Sequence, residues 1–585
     1  MTADRFVPHR VLLGHVRPYR RRYLLGFLFL ILGSVCSLAI PWTVKHAIET
    51  LGRGPHATEL RGYVVLILGL AAAHGLVRLG SRFAILGGGQ AVEQDLRNTL
   101  YAHLQKLSAA FYQAHRTGDL MSRASNDLGA VRLLVGFGAL SLLGTTIAFV
   151  GTLVAMLAID PWLTLYAMAP FPPLILLAKR FNTKVHHQSQ EVQEQLGELS
   201  AQVQENLAGM HVVRAYTMEA AEIRRFQRLN GEYLRRSLSL ARTQAAFSPL
   251  IGLIAGVGTL MVLWLGGKAV VDGRITLGAL VAFNAYLALL AWPTIALGWT
   301  LSVVRRGLAA MGRIVEILAV EPSIRDAPDP LDACPAPGSP AIEFRDLTFA
   351  YDGRTPALRE VTLAIPEGST VAIVGPTGSG KSTLGALIPR LFDPPPGSLF
   401  IGGIDVRRIR LTELRQMVGY VPQEAFLFSR TLRENLSLAG GGDRERLREA
   451  AQQAGLADEI ERFPEGWNTV VGERGLTLSG GQRQRAALAR ALVAEAPILI
   501  LDDAFANVDA AKEVDILHAL RDVFRGRITL LITHRLRAAR DADWIVVLDE
   551  GRIVEQGSHD ALIGRAGLYT RLWRIQQLED EIAHA

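Results

Sequence analysis

Two short stretches of this chain carry residue types whose spacing suits phosphate chemistry. Gly375-Pro-Thr-Gly-Ser-Gly-Lys-Ser382 fits the pattern G-x-x-x-x-G-K-[ST]. A strand-like run, Thr370–Val374, precedes it and the helical pattern "TLGALIPRL" follows, which is the context the pattern requires. Gly375, Gly378 and Gly380, with Pro376, Thr377 and Ser379 between them, let backbone N–H groups turn toward phosphate oxygens. The start of the following helix adds the positive end of a dipole. Lys381 is placed to reach the β and γ phosphates and Ser382 to ligate Mg²⁺, with Thr383 beside them as a further nucleotide contact. Downstream, the apolar run "ILILDD" ends in two aspartates. Asp502 is placed to hold Mg²⁺ through water at a strand's C-terminal end, where α/β sites lie. A Gly-rich turn or an Asp-ended strand has an ordinary structural explanation by itself. In this order the two point to a nucleoside triphosphate.

The surrounding elements divide the chain. At 585 residues it is too long for one compact domain. Hydrophobic residues make up 49%, and the apolar runs concentrate before residue 305. Spanning a bilayer takes about 20 mostly apolar helical residues. Six segments qualify, near residues 23–43, 62–84, 133–159, 162–177, 247–266 and 277–304. The fourth is the weakest, being short and holding Pro170, Pro172 and Pro173. Arg17, Arg20, Arg21 and Arg22 precede a run too long for a signal peptide, so that run reads as the first span. The connections between spans two and three and between four and five are long, polar and helical in composition. They carry Arg97, Arg116, Arg123, Lys179, Arg180, Arg214, Arg224, Arg225, Arg235 and Arg236. That basic excess puts them, with both termini, on the cytoplasmic side of a multi-pass protein of the inner (cell) membrane. The net charge of +7 is read the same way, as topology and not as nucleic-acid binding. Cys36 and Cys334 stand in unrelated contexts and suggest no disulfide.

A Pro- and Asp-rich linker, 321–340, separates a transmembrane domain, 1–320, from a soluble domain, 341–585. In the latter "AIEFRDLTFAY", "STVAIVG", "ILILDD", "ITLLITH" and "WIVVLDEG" read as short strands alternating with helices. That alternation implies a mostly parallel sheet with helices on its faces.

Between the two phosphate motifs lies Leu478-Ser-Gly-Gly-Gln482, followed by "RQRAALARAL". This resembles the signature of ABC transporters, and other family elements stand in the expected order. Tyr351 resembles the aromatic residue that stacks on adenine. Gln423, in "VGYVPQEAFLF", resembles the glutamine that contacts Mg²⁺ and the membrane domain. "VGERG" at 471–475 resembles the segment found before the signature in exporters. Asp509, in "ANVDA", resembles the aspartate of the loop after the second phosphate motif, and His534 the switch histidine that contacts the γ phosphate. In the membrane half, "FYQAHRTGDLMSRASND" at 111–127 and "GMHVVRAYTMEAAEIRRF" at 209–226 resemble the coupling regions of the type IV, or exporter, fold. The resemblance implies a six-helix α transmembrane domain with long cytoplasmic helical extensions, followed by an α/β P-loop ABC nucleotide-binding domain. It implies ATP and Mg²⁺ as cofactors, a lipid bilayer around the spans, and a small-molecule, lipid or peptide substrate. It also implies two nucleotide domains closing head-to-tail over two ATP molecules. Each site then joins one chain's phosphate loop to the other's signature, here Ser479, Gly480, Gly481 and Gln482. One nucleotide domain and six spans therefore call for a second half-transporter chain.

The pattern breaks at one residue. Where the family has a glutamate that polarises the attacking water, this sequence has Asp503. The carboxylate is withdrawn by one C–C bond, about 1.5 Å. A misplacement of about 1 Å costs on the order of 10²-fold in rate. Asp503, His534 and Gln423 are thus the candidate catalytic residues of a site expected to bind ATP and hydrolyse it poorly. An intact signature beside a weakened base resembles the degenerate-site subunit of heterodimeric bacterial multidrug and peptide exporters, and of the antigen-processing transporter. The alternatives are a homodimer with two slow sites, an ATP-gated channel or regulator, and an importer on the same fold. Single-channel currents would reveal the channel, and transport direction in inverted vesicles the importer. Six spans exclude a soluble ATPase.

Overall fold

Apolar runs flanked by arginines form helices throughout the first half of the chain. The structure is a computed structural model that describes residues 7–52, 57–331, 342–351, 355–441, 443–472, 475 and 477–584. The chain divides into two units, Met1–Leu104 with Gly118–Ala319, and Gln105–Thr117 with Val320–Ala585.

The principal helices of the first unit are α1 (Arg20–Leu51), α2 (Ala57–Leu104), α3 (Ala139–Ile159), α4 (Phe171–Ala208), α5 (Glu219–Val271) and α6 (Leu277–Leu318). Among the described residues, Pro8–Leu51, Thr58–Leu104 and Thr117–Ile159 are long and apolar enough to cross a membrane. Gly256–Val271 and Leu277–Leu290 are shorter apolar stretches. The helices outrun the apolar segments. α2 continues to Leu104, and α5 runs for 53 residues, about 80 Å at 1.5 Å per residue. After the three glycines, which the surrounding packing carries through, "QAVEQDLRNTLYAHL" holds neither Pro nor Gly, so polar sequence prolongs the helix. The approach to α3 is interrupted by π-helical turns at Arg123–Asp127 and Leu134–Gly138.

Small residues let these helices pack closely, as membrane helices do. A Cβ on Gly26 of α1 would lie 2.4 Å from Ile85 of α2, and one on Gly307 of α6 would lie 2.4 Å from Leu134. Several charges of the polar extensions are paired within the unit. Arg97 meets Glu93 at 2.5 Å, and Arg123 meets Asp119 at 3.0 Å. Arg313 grips the buried Asp127 with two hydrogen bonds, at 2.9 and 2.5 Å. Cys36 is a half-buried free thiol, while Cys334 and positions 332–340 of the linker lie outside the described residues.

Among the described residues the second unit holds ten strands: β1 (Ile342–Phe349), β2 (Leu358–Ile365), β3 (Thr370–Val374), β4 (Leu399–Ile401), β5 (Ile404–Asp405), β6 (Val418–Val421), β7 (Ile498–Asp502), β8 (Ile528–Ile532), β9 (Trp544–Asp549) and β10 (Arg552–Gly557). The expected parallel sheet is present. Its order is β10-β9-β3-β8-β7-β6, parallel except for the edge strand β10. A second, four-stranded sheet was not anticipated. Its order is β2-β1-β4-β5 and every pairing in it is antiparallel. β1 buries alternate residues, as a sheet with one covered face does. β7 is buried along its whole length and serves two cores: Ile498 and Ile500 pack with β1–β3, Leu499 and Leu501 with the helical side. This strand thus divides the core supporting the phosphate loop from the core supporting the signature.

Candidate functional site

The phosphate loop joins β3 to helix α7 (Lys381–Leu387). β3 lies centrally, between β8 and β9, so the loop leaves the most constrained strand of the sheet. Gly375 and Gly380 have φ of +148° and +98°. A Cβ would sit 2.0 Å from the Leu548 carbonyl oxygen at the first and 2.6 Å from that of Ala357 at the second. No side chain fits either place. The Lys381 ammonium donates to the carbonyls of Gly375 and Pro376, at 2.9 and 2.7 Å, and so closes the loop around itself. Burial lowers its pKa, and the nearby charges of Asp503 and Asp502 oppose that shift.

Asp502 ends β7 beside this loop. Its Oδ1 accepts from the Ser382 hydroxyl at 2.9 Å, and its Oδ2 from the Tyr420 hydroxyl at 3.4 Å. Burial raises its pKa. The bonds from Ser382 and Tyr420 work against the shift, while the Asp503 charge adds to it. Ser382 and Asp502 thus bring two hard oxygen ligands together, a donor set that fits a small divalent cation such as Mg²⁺. Tyr351 reaches the same loop. Its hydroxyl donates to Thr383 Oγ1 at 3.0 Å, and its ring makes T-shaped contacts with Phe349 and Phe392, centroids 5.0 and 4.9 Å away.

The next residue, Asp503, has a φ of +51° and donates its backbone N–H to the Ile532 carbonyl at 2.8 Å. Aspartate is among the few residues that enter this left-handed region readily. Its two carboxylate oxygens lie 2.8 and 2.9 Å from Nδ1 of His534, which follows β8. A carboxylate accepts, so Nδ1–H is the donor and Nε2 is left free of this pair.

The signature belongs to a second cluster. Ser479 caps helix α8 (Gly480–Val493) in a capping box: its Oγ accepts from the Gln482 N–H at 3.2 Å, and Gln482 Oε1 accepts from the Ser479 N–H at 2.8 Å. Gly481 packs so tightly that a Cβ would lie 2.7 Å from the Asn507 carbonyl oxygen. Asp509 is the exposed N-cap of helix α9 (Ala510–Phe524). Among the described residues, no hydrogen bond joins Ser479, Gly480 or Gly481 to the phosphate loop. Gln423 stands exposed in the bend after β6, and no described hydrogen bond links it to Asp502 or Ser382. Gly475, at the end of the segment preceding the signature, has φ +80°; Glu473 and Arg474 lie outside the described residues.

Three residues escaped the sequence reading. Tyr420 binds Asp502. The buried Gln484 donates to the Asp503 carbonyl at 3.4 Å and accepts from the Asn507 N–H at 2.7 Å. It therefore links the signature helix to the residue after β7. Glu459 takes Arg485 at 2.8 and 2.9 Å, Gln482 at 2.9 Å and Lys512 at 2.5 Å. Burial works against its charge, but these hydrogen bonds prevail and hold its pKa down, from 4.5 to about 2. Gln484 and Tyr420 had a signal, each lying within a segment already singled out, whereas Glu459 acts through contacts that no local pattern marks.

A unit of long apolar helices followed by a sheet-bearing unit whose phosphate loop lies beside Ser382 and Asp502 is the arrangement of an ATP-driven membrane transporter. Comparison with known proteins agrees. Residues 23–294 match the model of the ABC transporter transmembrane region and residues 358–506 that of the ABC transporter domain. The chain is 35% identical to a probable multidrug resistance ABC transporter ATP-binding/permease protein, YheI, of Bacillus subtilis, over 96% of each chain. It is also 35% identical to an ATP-dependent lipid A-core flippase of Syntrophus aciditrophicus, over 98% of this chain and 95% of that one. A solved bacterial Atm1-family ABC exporter with ATP bound superposes with a TM-score of 0.78 at 30% identity, covering 95% of this chain and 98% of the other. The chain belongs to the ABC transporter family, with the exporter fold, and is an ATPase-coupled membrane transporter.

Proposed function

We propose that this chain is one subunit of a dimeric exporter for lipids or amphipathic small molecules, and that its own phosphate-loop site holds ATP and hydrolyses it slowly. The observation that carries this reading is Asp503. Its side chain is one methylene shorter than glutamate, and both its oxygens are engaged by His534 Nδ1. Gly375–Ser382 and Thr383 bind the phosphates, Lys381 neutralises them, and Tyr351 stacks on the adenine. Ser382, Asp502 and Gln423 hold Mg²⁺, which supplies charge neutralisation at the phosphates when bound. His534 faces the γ phosphate. Ser479, Gly480, Gly481 and Gln482, with Asp509, complete the site on the partner's phosphate loop. The substrate class is suggested by relatives described as a multidrug resistance protein and a lipid A-core flippase. The six spans and cytoplasmic coupling segments of the sequence reading fit this assignment, with the nucleotide domain on the cytoplasmic side of the cell membrane.

ATP-driven uptake of a fluorescent lipid or a cationic dye into inverted membrane vesicles tests it. Uptake is expected when this chain is co-produced with a neighbouring half-transporter, and little when it is produced alone. Full uptake by the chain alone would overturn pairing with a different chain in favour of a homodimer.

A further inference from the structure

The switch histidine is held from a place that the ATP machinery does not otherwise reach, the C-terminal helix α10 (Leu568–His584). After β8 the chain passes through Thr533, His534 and Arg535 into the short helix Leu536–Ala539. Gln576 of α10 meets this turn with both ends of its carboxamide. Its Oε1 accepts from the Leu536 N–H at 2.8 Å, and its Nε2 donates to the His534 carbonyl. At neutral pH a side-chain amide offers a donor and an acceptor side by side in this way, which an ionised carboxylate does not.

α10 is itself firmly seated. Tyr569 is fully buried in a cluster with Ala372 and Val374 of β3 and Ile545 and Val547 of β9. Trp573 meets His559 in a T-shaped contact, ring centroids 4.7 Å apart. Tyr569, Trp573 and Gln576 recur at spacings of four and three, so one face of the helix carries both the anchor and the amide. The other side of the turn is held by Arg535, which donates to the carbonyls of Val508 and Ala506 at 3.1 and 3.0 Å and pairs with Glu513. The His534 backbone is thus clamped between the loop before α9 and α10, while its imidazole meets Asp503.

We propose that Gln576 is a positioning residue: it fixes the His534 backbone so that the imidazole stands correctly between Asp503 and the phosphate site, and it ties the C-terminal helix to ATP turnover. The catalytic consequence rests on the role proposed above for His534.

The test uses the full chain with Mg·ATP and three readouts. These are affinity for a fluorescent ATP analogue, cleavage of bound [γ-³²P]ATP followed over hours, and hydrogen exchange of the Leu536 amide. Gln576→Leu is expected to speed exchange at Leu536 at least ten-fold. It should slow cleavage about ten-fold, in keeping with the cost of a sub-ångström to 1 Å misplacement. ATP affinity should stay within two-fold. Gln576→Glu, which keeps the acceptor and loses the donor, should protect Leu536 better than leucine does. His534→Ala should slow cleavage, and adding Gln576→Leu to it should slow it no further. Unchanged exchange at Leu536 in Gln576→Leu overturns the clamp. Parallel losses of affinity and cleavage, or additive losses in the double variant, overturn the positioning role in favour of a merely structural one. A His534→Ala chain that cleaves at the parental rate overturns the role of His534 and leaves the clamp to be judged by exchange alone.

Discussion

Asp503 and His534 face each other across the ends of β7 and β8, with both carboxylate oxygens within 2.9 Å of the same imidazole nitrogen. The pair orients the imidazole and engages the carboxylate proposed above for the water-polarising position. Replacing Asp503 by glutamate adds one C–C bond of reach, about 1.5 Å. The expected outcome is a gain in ATP turnover of about ten-fold or more, since a misplacement of about 1 Å costs on the order of 10²-fold. Asp503→Asn should change turnover far less. Steady-state phosphate release at saturating Mg·ATP measures both.

Ser382 and Asp502 make the proposed Mg²⁺ site. Ser382→Ala removes one oxygen ligand and a hydrogen bond that orients the other. Loss of such a partner typically costs 10–100-fold in metal affinity. The Mg²⁺ concentration that half-saturates ATP binding should therefore rise roughly ten-fold or more, as read by titrating Mg²⁺ against a fluorescent ATP analogue.

Gly380 is required by geometry. It sits at φ +98° with no room for a Cβ. A left-handed conformation costs an L-residue about 1–2 kcal/mol before any overlap is counted. Gly380→Ala should lower the unfolding stability of the nucleotide domain by at least that much and abolish ATP binding, as followed by thermal denaturation and nucleotide titration.

The strand–loop–helix around Gly380 was legible because each of its parts is local: a β-branched run, glycines at fixed spacing, an amphipathic start. The signature was legible for the same reason. The antiparallel sheet was not, because β1 pairs with β4 across 55 to 59 residues (Phe344 with Leu399, Ile342 with Ile401), and no local period encodes that register. Span limits and helix limits are different things in the membrane unit, since the expected polar helical extensions continue the same helices. Hydropathy marks where apolar sequence ends, at residue 84, whereas the helix ends at Leu104, where the chain next finds a turn. Glu459 and Gln576 were invisible because each works on residues more than twenty positions away.

Glu459 provides a pH test. Its carboxyl is held at about 2 in the folded state against 4.5 ordinarily, burial being outweighed by Arg485, Lys512 and Gln482. A lowered folded pKa stabilises the protein above the unfolded value, and that contribution is lost as pH falls from about 4.5 toward 2. Glu459→Gln should lower stability near neutrality by about 1–2 kcal/mol, because Glu459 is only half-buried and Arg485 keeps the Gly455 carbonyl as an acceptor. It should also flatten the acid limb of the stability curve. Chemical denaturation across that pH range measures both effects.

The most direct test of the account concerns the fate of the nucleotide bound to this chain's own phosphate loop. The chain and its co-produced partner are loaded with photoreactive, doubly labelled Mg·ATP, allowed one turnover and cross-linked, and the nucleotide on each chain is identified. The account predicts intact ATP on this chain while the partner carries ADP. ADP on this chain, formed as fast as on its partner, would contradict it.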